Sequence, residues 1–176
     1  MEYKKFFIFT DIRGSLIDES YAKSVEEVSI KPESAEAMNY LIEQIKRCGF
    51  CPEIVITSEY RKDKDFVIGL LKQANIDDSV NIDFLPIDNQ YRNEQIIRYL
   101  KNKTNGIVAT KRTNQILPLI RKFSNYVVID DDYDILERVP KEQYIQTSYH
   151  FSSLTKKMVN KFIRNKNMQT IDYAEK

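Results

Sequence analysis

Phe6-Phe7-Ile8-Phe9-Thr10-Asp11-Ile12-Arg13-Gly14-Ser15-Leu16 is the stretch on which the reading of this chain turns. Four consecutive apolar residues after Lys4-Lys5 predict a strand buried on both faces, and such strands belong to parallel sheets covered by helices. Asp11 falls where that strand ends. Open α/β sheets bind ligands outside the carboxyl ends of their strands, so a carboxylate at this position is a functional signal. Gly14-Ser15 follows at once, allowing a tight turn and leaving only small side chains beside Asp11.

Two further apolar runs repeat the pattern. Glu53-Ile54-Val55-Ile56-Thr57-Ser58 predicts a strand that ends in hydroxyl residues, and Tyr126-Val127-Val128-Ile129-Asp130-Asp131-Asp132 predicts one that ends in acids. Shorter strands are expected at Asn81–Leu85, Gly106–Thr110 and Glu142–Thr147. Helical spacing recurs between them. One helix is expected from Pro32 to a stop at Gly49, others over Lys62–Ala74 (stopped by Asn75), Arg92–Leu100 and about Thr113–Phe123, and a last one capped by Ser153. Residues 13–31 show no period and are expected to form a loop or small flap over Asp11, while Tyr133–Val139 has room for one or two helical turns. This alternation predicts one three-layer α/β domain over residues 1–166, with a mainly parallel, Rossmann-like sheet, right-handed crossovers and no separate cap domain. Residues 167–176 are expected to be a frayed tail.

A chain of 176 residues with 42% hydrophobic and 30% charged residues has the composition of an ordinary globular protein. It has no apolar run of membrane-spanning length and no signal-peptide pattern, so a cytoplasmic location without membrane attachment is expected. The formal net charge is +1, but residues 1–94 hold 18 acidic against 12 basic side chains, and residues 95–176 hold 8 against 15. Arg98, Lys101, Lys103, Lys111, Arg112, Arg121 and Lys122 fall in a stretch without acids, and Lys156, Lys157, Lys161, Arg164 and Lys166 form a second cluster. Solvated helix faces explain such runs first, and a footprint for nucleic acid second. Cys48-Gly49-Phe50-Cys51 closes a helix instead of opening one, against the thioredoxin order, and one CxxC with the lone His150 makes a poor zinc site.

If the three strong strands are neighbours, their ends bring Asp11, Thr57, Asp130 and Asp131 into one crevice. Clustered carboxylates repel, so a cation is expected between them, and Mg²⁺ suits oxygen-only sites that bridge carboxylates to phosphate. Each residue taken alone has a plainer explanation: a strand-end Asp is commonly a helix N-cap, and Arg92, Lys111 and Arg112 are commonly surface charges. Only the joint order raises the site above these.

These segments resemble the haloacid dehalogenase (HAD) superfamily. Its first motif is an apolar strand followed by Asp-x-Asp-Gly-Thr/Val-Leu, here Phe9-Thr10-Asp11-Ile12-Arg13-Gly14-Ser15-Leu16; its second is matched by Ile54-Val55-Ile56-Thr57 and its fourth by Val127-Val128-Ile129-Asp130-Asp131. Within the superfamily the chain is most similar to the HAD domain of Swiss Army Knife RNA repair proteins, through Thr57-Ser58-Glu59-Tyr60-Arg61, Ile129-Asp130-Asp131-Asp132 and Tyr144-Ile145-Gln146-Thr147 followed by Ser153-Leu154-Thr155.

The resemblance implies Asp11 as a nucleophile toward phosphorus, Thr57 with Ser58 and Gly14 at the phosphate, and Mg²⁺ held by Asp11 and Asp131 with Asp130 beside them. It implies a basic residue in the third motif, for which two stretches compete. Arg92-Asn93-Glu94-Gln95-Ile96 is the literal match, and Lys111-Arg112 has the better distance to the acidic strand end, which favours Lys111. Arg13 departs from the motif, standing where phosphatases carry a general acid. Arginine does not release its proton, so hydrolysis is expected to lose roughly the 10²–10⁴-fold that acid–base catalysis supplies. Two placements are open: Arg13 fills the cation site against Asp11 or Asp131, or it turns outward and clamps a substrate phosphate. The expected activity is a Mg²⁺-dependent phosphohydrolase or phosphotransferase with a phosphorylated substrate, nucleic-acid termini among the candidates. The alternative is a catalytically degenerate HAD-fold binding or regulatory protein. The sequence does not give the oligomeric state.

Overall fold

Lys4-Lys5 is exposed and Phe6–Thr10 is fully buried, so the first predicted strand exists and is covered on both faces. The computed structural model describes residues 4–103, 125–166 and 168. The strand expected at Gly106–Thr110, the helix expected at Thr113–Phe123 and the tail at 167–176 lie outside the described residues.

The strands are β1 (Lys4–Thr10), β2 (Phe50–Ile56), β3 (Asn81–Phe84), β4 (Tyr126–Asp130) and β5 (Tyr144–Gln146). They form one five-stranded sheet in the order β3-β2-β1-β4-β5, and every pairing is parallel. The helices are α1 (Glu19–Ser24), α2 (Pro32–Arg47), α3 (Lys64–Gln73), α4 (Arg92–Lys103) and α5 (Lys156–Lys166), with 3₁₀ turns at Glu59–Lys62, Tyr133–Glu137 and Lys141–Gln143. None of the described helices is long and apolar enough to cross a membrane.

Strand parity builds two cores. Phe6, Ile8, Ile54, Ile56, Val127 and Ile129 point to one face, where they pack with residues of α2, α3 and α5. Phe7, Phe9, Val55, Tyr126 and Val128 point to the other, against Ile96, Tyr99 and Leu100 of α4. Phe9 meets Tyr99 edge to face at 5.6 Å. The molecule is a three-layer α/β structure around a parallel sheet, as the apolar runs predict.

Strand order reverses around β1: the chain proceeds outward through β2 and β3 on one side and through β4 and β5 on the other. The crevice between the carboxyl ends of β1 and β4 is the switch point at which such sheets bind ligands. Asp11 stands on one wall of it and Asp130-Asp131 on the other.

Local expectations fare unevenly. Gly49, at φ +79, and Asn75, at φ +54, end α2 and α3 in the left-handed conformation, as read from sequence. Cys48 and Cys51 are both free. The 13–31 segment is not all loop. Asp18 caps α1 by accepting a hydrogen bond from the Tyr21 N–H at 2.9 Å, and the helix is too short to show a period. Ser153 does not cap the last helix: its hydroxyl donates to Asp18 at 3.0 Å, while Thr155 Oγ1 accepts from the Met158 N–H at 3.3 Å. The competing buried carboxylate takes the serine away from the helix end.

Candidate functional site

The ladder continues one residue beyond the strands and so fixes the backbone of the site. The Asp11 N–H donates to the Ile129 carbonyl at 3.2 Å, the Thr57 N–H to the Thr10 carbonyl at 3.0 Å and the Thr147 N–H to the Asp130 carbonyl at 3.0 Å. Asp11 and Asp130 are buried and Asp131 is half-buried. One carboxylate oxygen from each lies within 4.8 Å of the others. Gly14 explains how the third carboxylate fits. At φ +93 it adopts a backbone conformation that side chains disfavour, and a Cβ there would lie 2.4 Å from Asp131 Cγ. Glycine is needed for the turn and for the room it leaves to Asp131.

Arg92 opens α4 and reaches back across the sheet end. Its Nη1 donates to both Asp130 oxygens, at 2.8 and 2.7 Å, and the Asp132 N–H donates to Asp130 Oδ1 at 3.0 Å. Asp130 is thereby ion-paired, leaving Asp11 and Asp131 as the carboxylates open to a ligand. Burial first, and then the charge of Asp130, push the Asp11 carboxyl up to about 7, against the opposing pull of Arg92 and a hydrogen bond from Ser58. An oxygen-only set at this spacing fits a hard divalent cation such as Mg²⁺, which would hold Asp11 in its ionised form.

A cleft of about 560 Å³ opens over these groups. Asp11, Asp131, Arg92 and Ser58 form its inner part, and Tyr60, Tyr149 and His150 add aromatic walls. Ser58 accepts from the Tyr60 N–H at 3.3 Å, so its hydroxyl is oriented by the 3₁₀ turn that it caps. Thr57 is wholly buried and is not among the residues lining the cleft; its Oγ1 has no hydrogen-bond partner among the described residues. Arg61 Nη1 donates to the Thr57 and Ser58 carbonyls at 2.6 and 2.9 Å and pins this turn to the end of β2.

Arg13 does not fill the space between Asp11 and Asp131. It is exposed, its Nη2 donates to the Tyr149 hydroxyl at 2.8 Å, and its guanidinium carbon stands 4.7 Å from the centre of that ring. A bond to a phenol combined with a cation–π contact holds it at the mouth. Of the two competitors for the third motif, Arg92 is at the site, and Lys111 and Arg112 lie outside the described residues.

No family model and no curated protein matches the sequence.

The fold brings together Asp11, Asp130, Asp131, Gly14, Ser58 and Arg92 from the residues expected on sequence grounds, with Thr57 beneath them and Arg13 turned outward. Sequence reasoning missed Tyr149 and His150 as cleft residues. They follow β5, which falls within the strand expected at Glu142–Thr147, and the carboxyl-end rule applied to the three strong strands would have found them had it been extended to this short one.

Proposed function

We propose that this chain is a Mg²⁺-dependent phosphohydrolase or phosphotransferase of the HAD type, without a separate cap domain, that works through an aspartyl-phosphate. The observation that supports this most directly is the convergence of Asp11, Asp130 and Asp131 at the switch point, beside the ion-paired Arg92 and the hydroxyl of Ser58.

Mg²⁺ held by Asp11 and Asp131 would neutralise the phosphoryl charge and keep Asp11 ionised. The free Asp11 oxygen attacks phosphorus, the bond from phosphorus to the leaving oxygen breaks, and that oxygen takes its proton from solvent. Water then attacks phosphorus and releases phosphate, restoring the carboxylate. Ser58 lines the cleft beside Asp11 and its hydroxyl favours the ionised form of that carboxylate. Burial pushes the Asp130 carboxyl up and Arg92 pulls against it while compensating its charge, so the third carboxylate does not repel the phosphate at full strength. Arg13 supplies no proton, so the rate is low. The open, cation-bearing mouth suits a phosphate on a large substrate, nucleic-acid termini included.

The test is turnover of aryl phosphate with Mg²⁺ and detection of a beryllofluoride adduct at Asp11. Activity and adduct that vanish in Asp11→Asn are expected; absence of both in the wild type would remove the proposal. Arg13 in the acid position favours a second reading, a domain that binds phosphorylated ligands without turnover. Phosphate binding with no release of product over hours, and a measurable rate gained by Arg13→Asp, would decide for it.

A further inference from the structure

We propose that Arg13, oriented by Tyr149, is a specificity residue that binds an anionic group on the leaving portion of the substrate. This rests on the phosphoryl-transfer reading above and adds to it the chemical class of what is attached to the phosphate.

The first observation is charge pairing. Arg92 is neutralised by Asp130, and His150 Nδ1 is hydrogen-bonded to Glu19 at 2.8 Å. Arg13 is different: its hydrogen-bond partner is a neutral phenol, and Glu59, which also lines the cleft, makes no ion pair with it among the described residues. Among the described residues no carboxylate forms an ion pair with it, and Asp11 acts on it only through space. A bond through Nη2 alone also leaves the rest of the guanidinium fork free to donate.

The second observation is rigidity. Tyr149 is no drifting surface side chain. Its carbonyl accepts from the Glu19 N–H at 2.7 Å, and the flanking turn is closed by the Ser148 N–H donating to the Ser152 carbonyl at 2.8 Å and by the Ser152 N–H returning to the Ser148 carbonyl at 2.9 Å. The backbone that carries the ring is thus tied to the start of α1, and Arg13, stacked and hydrogen-bonded on that ring, is oriented before a ligand arrives. Much of the entropy that a long exposed side chain would lose on binding is already lost.

The third is direction. Displacement at phosphorus is in line, so the leaving oxygen departs opposite to the attacking carboxylate. Asp11 is buried at the inner end of the cleft and Arg13 is exposed at its mouth, so the departing portion of the substrate extends toward Arg13 and not away from it. Tyr149 acts only through Arg13 and is a positioning residue.

The experiment compares unhydrolysable ligands in pairs: alkylphosphonates against ω-phosphonocarboxylates with two to four methylenes, titrated calorimetrically into the whole protein with saturating Mg²⁺. Both members carry the same phosphonate, so any disturbance at the Asp11 end cancels in their ratio. At least one carboxylate-bearing ligand is expected to bind the wild type fivefold or more tighter than its neutral partner. Arg13→Ala should abolish that preference, Arg13→Lys should retain part of it, and Tyr149→Phe, which keeps the ring and loses the hydrogen bond, should lower it two- to threefold. A wild type without preference, or a preference that survives Arg13→Ala, overturns the inference while leaving phosphoryl transfer intact. Failure of every phosphonate to bind would bring down the phosphoryl-transfer reading and this inference with it.

Discussion

Asp11 is where folding and chemistry conflict most directly. Burial and the neighbouring Asp130 push its carboxyl up to about 7, so the folded chain holds its proton far more tightly than an unfolded chain would, at 3.8. A group with a raised folded value stabilises the fold below its unfolded value and loses that contribution as pH rises through the folded one. Moving a carboxyl from 3.8 to about 7 is worth at most about 4 kcal/mol, at ~1.36 kcal/mol per pH unit. Asp11→Asn is therefore expected to raise the melting temperature of the metal-free protein at pH 8 by several degrees and to change it little at pH 4, a difference that thermal scans at the two pH values will show. Gly14 supplies a second prediction. Gly14→Ala meets both a left-handed backbone and the Asp131 carboxyl carbon at 2.4 Å. The carboxyl group can swing aside, so the stability cost should be about 1–2 kcal/mol. Displacing Asp131 should nonetheless weaken Mg²⁺ binding at least tenfold by calorimetry. Both residues were legible in the sequence, one at the end of an apolar strand and one in the turn after it. The outward turn of Arg13 was not legible, because it depends on Tyr149, 136 residues away.

Elements are tied together by a buried acid that does not line the cleft. Asp18 caps α1, accepts from Lys31 at 2.8 Å just before α2, and accepts from Ser153, itself hydrogen-bonded by Ser34, shortly before α5. Burial opposes its ionisation, but the Lys31 contact, the Tyr21 N–H and the Ser153 hydroxyl together hold its carboxyl down at about 2. The sign is opposite to that of Asp11: this contribution is complete above the ordinary 3.8 and is lost as pH falls toward 2. Asp18→Ala should cost about 2–3 kcal/mol in urea at pH 7, from a lost cap and lost charged hydrogen bonds. The gap to wild type should narrow in the same titration at pH 3. Sequence reasoning assigned Ser153 to the start of the last helix because a serine before a helical period is the ordinary cap signal. It had no means of seeing Asp18 arrive from the other end of the chain. On the far face, α4 is also held two turns from Arg92 by the Tyr99 hydroxyl, which lies 2.6 Å from Asp83 and 3.0 Å from Glu53.

At the scale of the molecule, a cation between Asp11 and Asp131 should act as a stabilising ligand. At one hundred times its dissociation constant it adds about 2.7 kcal/mol, which for a chain of this length raises the melting temperature by about 5–10 °C. Scanning fluorimetry with Mg²⁺, and again after chelation, should show the shift in the wild type and lose it in Asp131→Asn; an unchanged wild-type melting temperature would count against the metal. The sequence alone determined that three double-faced apolar strands exist, that they belong to a covered parallel sheet, and that acids and hydroxyls stand at their carboxyl ends. Each of those statements depends on neighbours within about ten residues, which is the range over which hydrophobic period and strand-end chemistry are written. Only the tertiary structure decided that β1 lies between β2 and β4, that Arg92 pairs with Asp130, that Ser58 and not Thr57 lines the cleft, and that Tyr149 draws Arg13 to the mouth. Those outcomes are set by strand order and by side chains that meet across the ends of different strands, and no local pattern encodes which distant partner wins a buried charge.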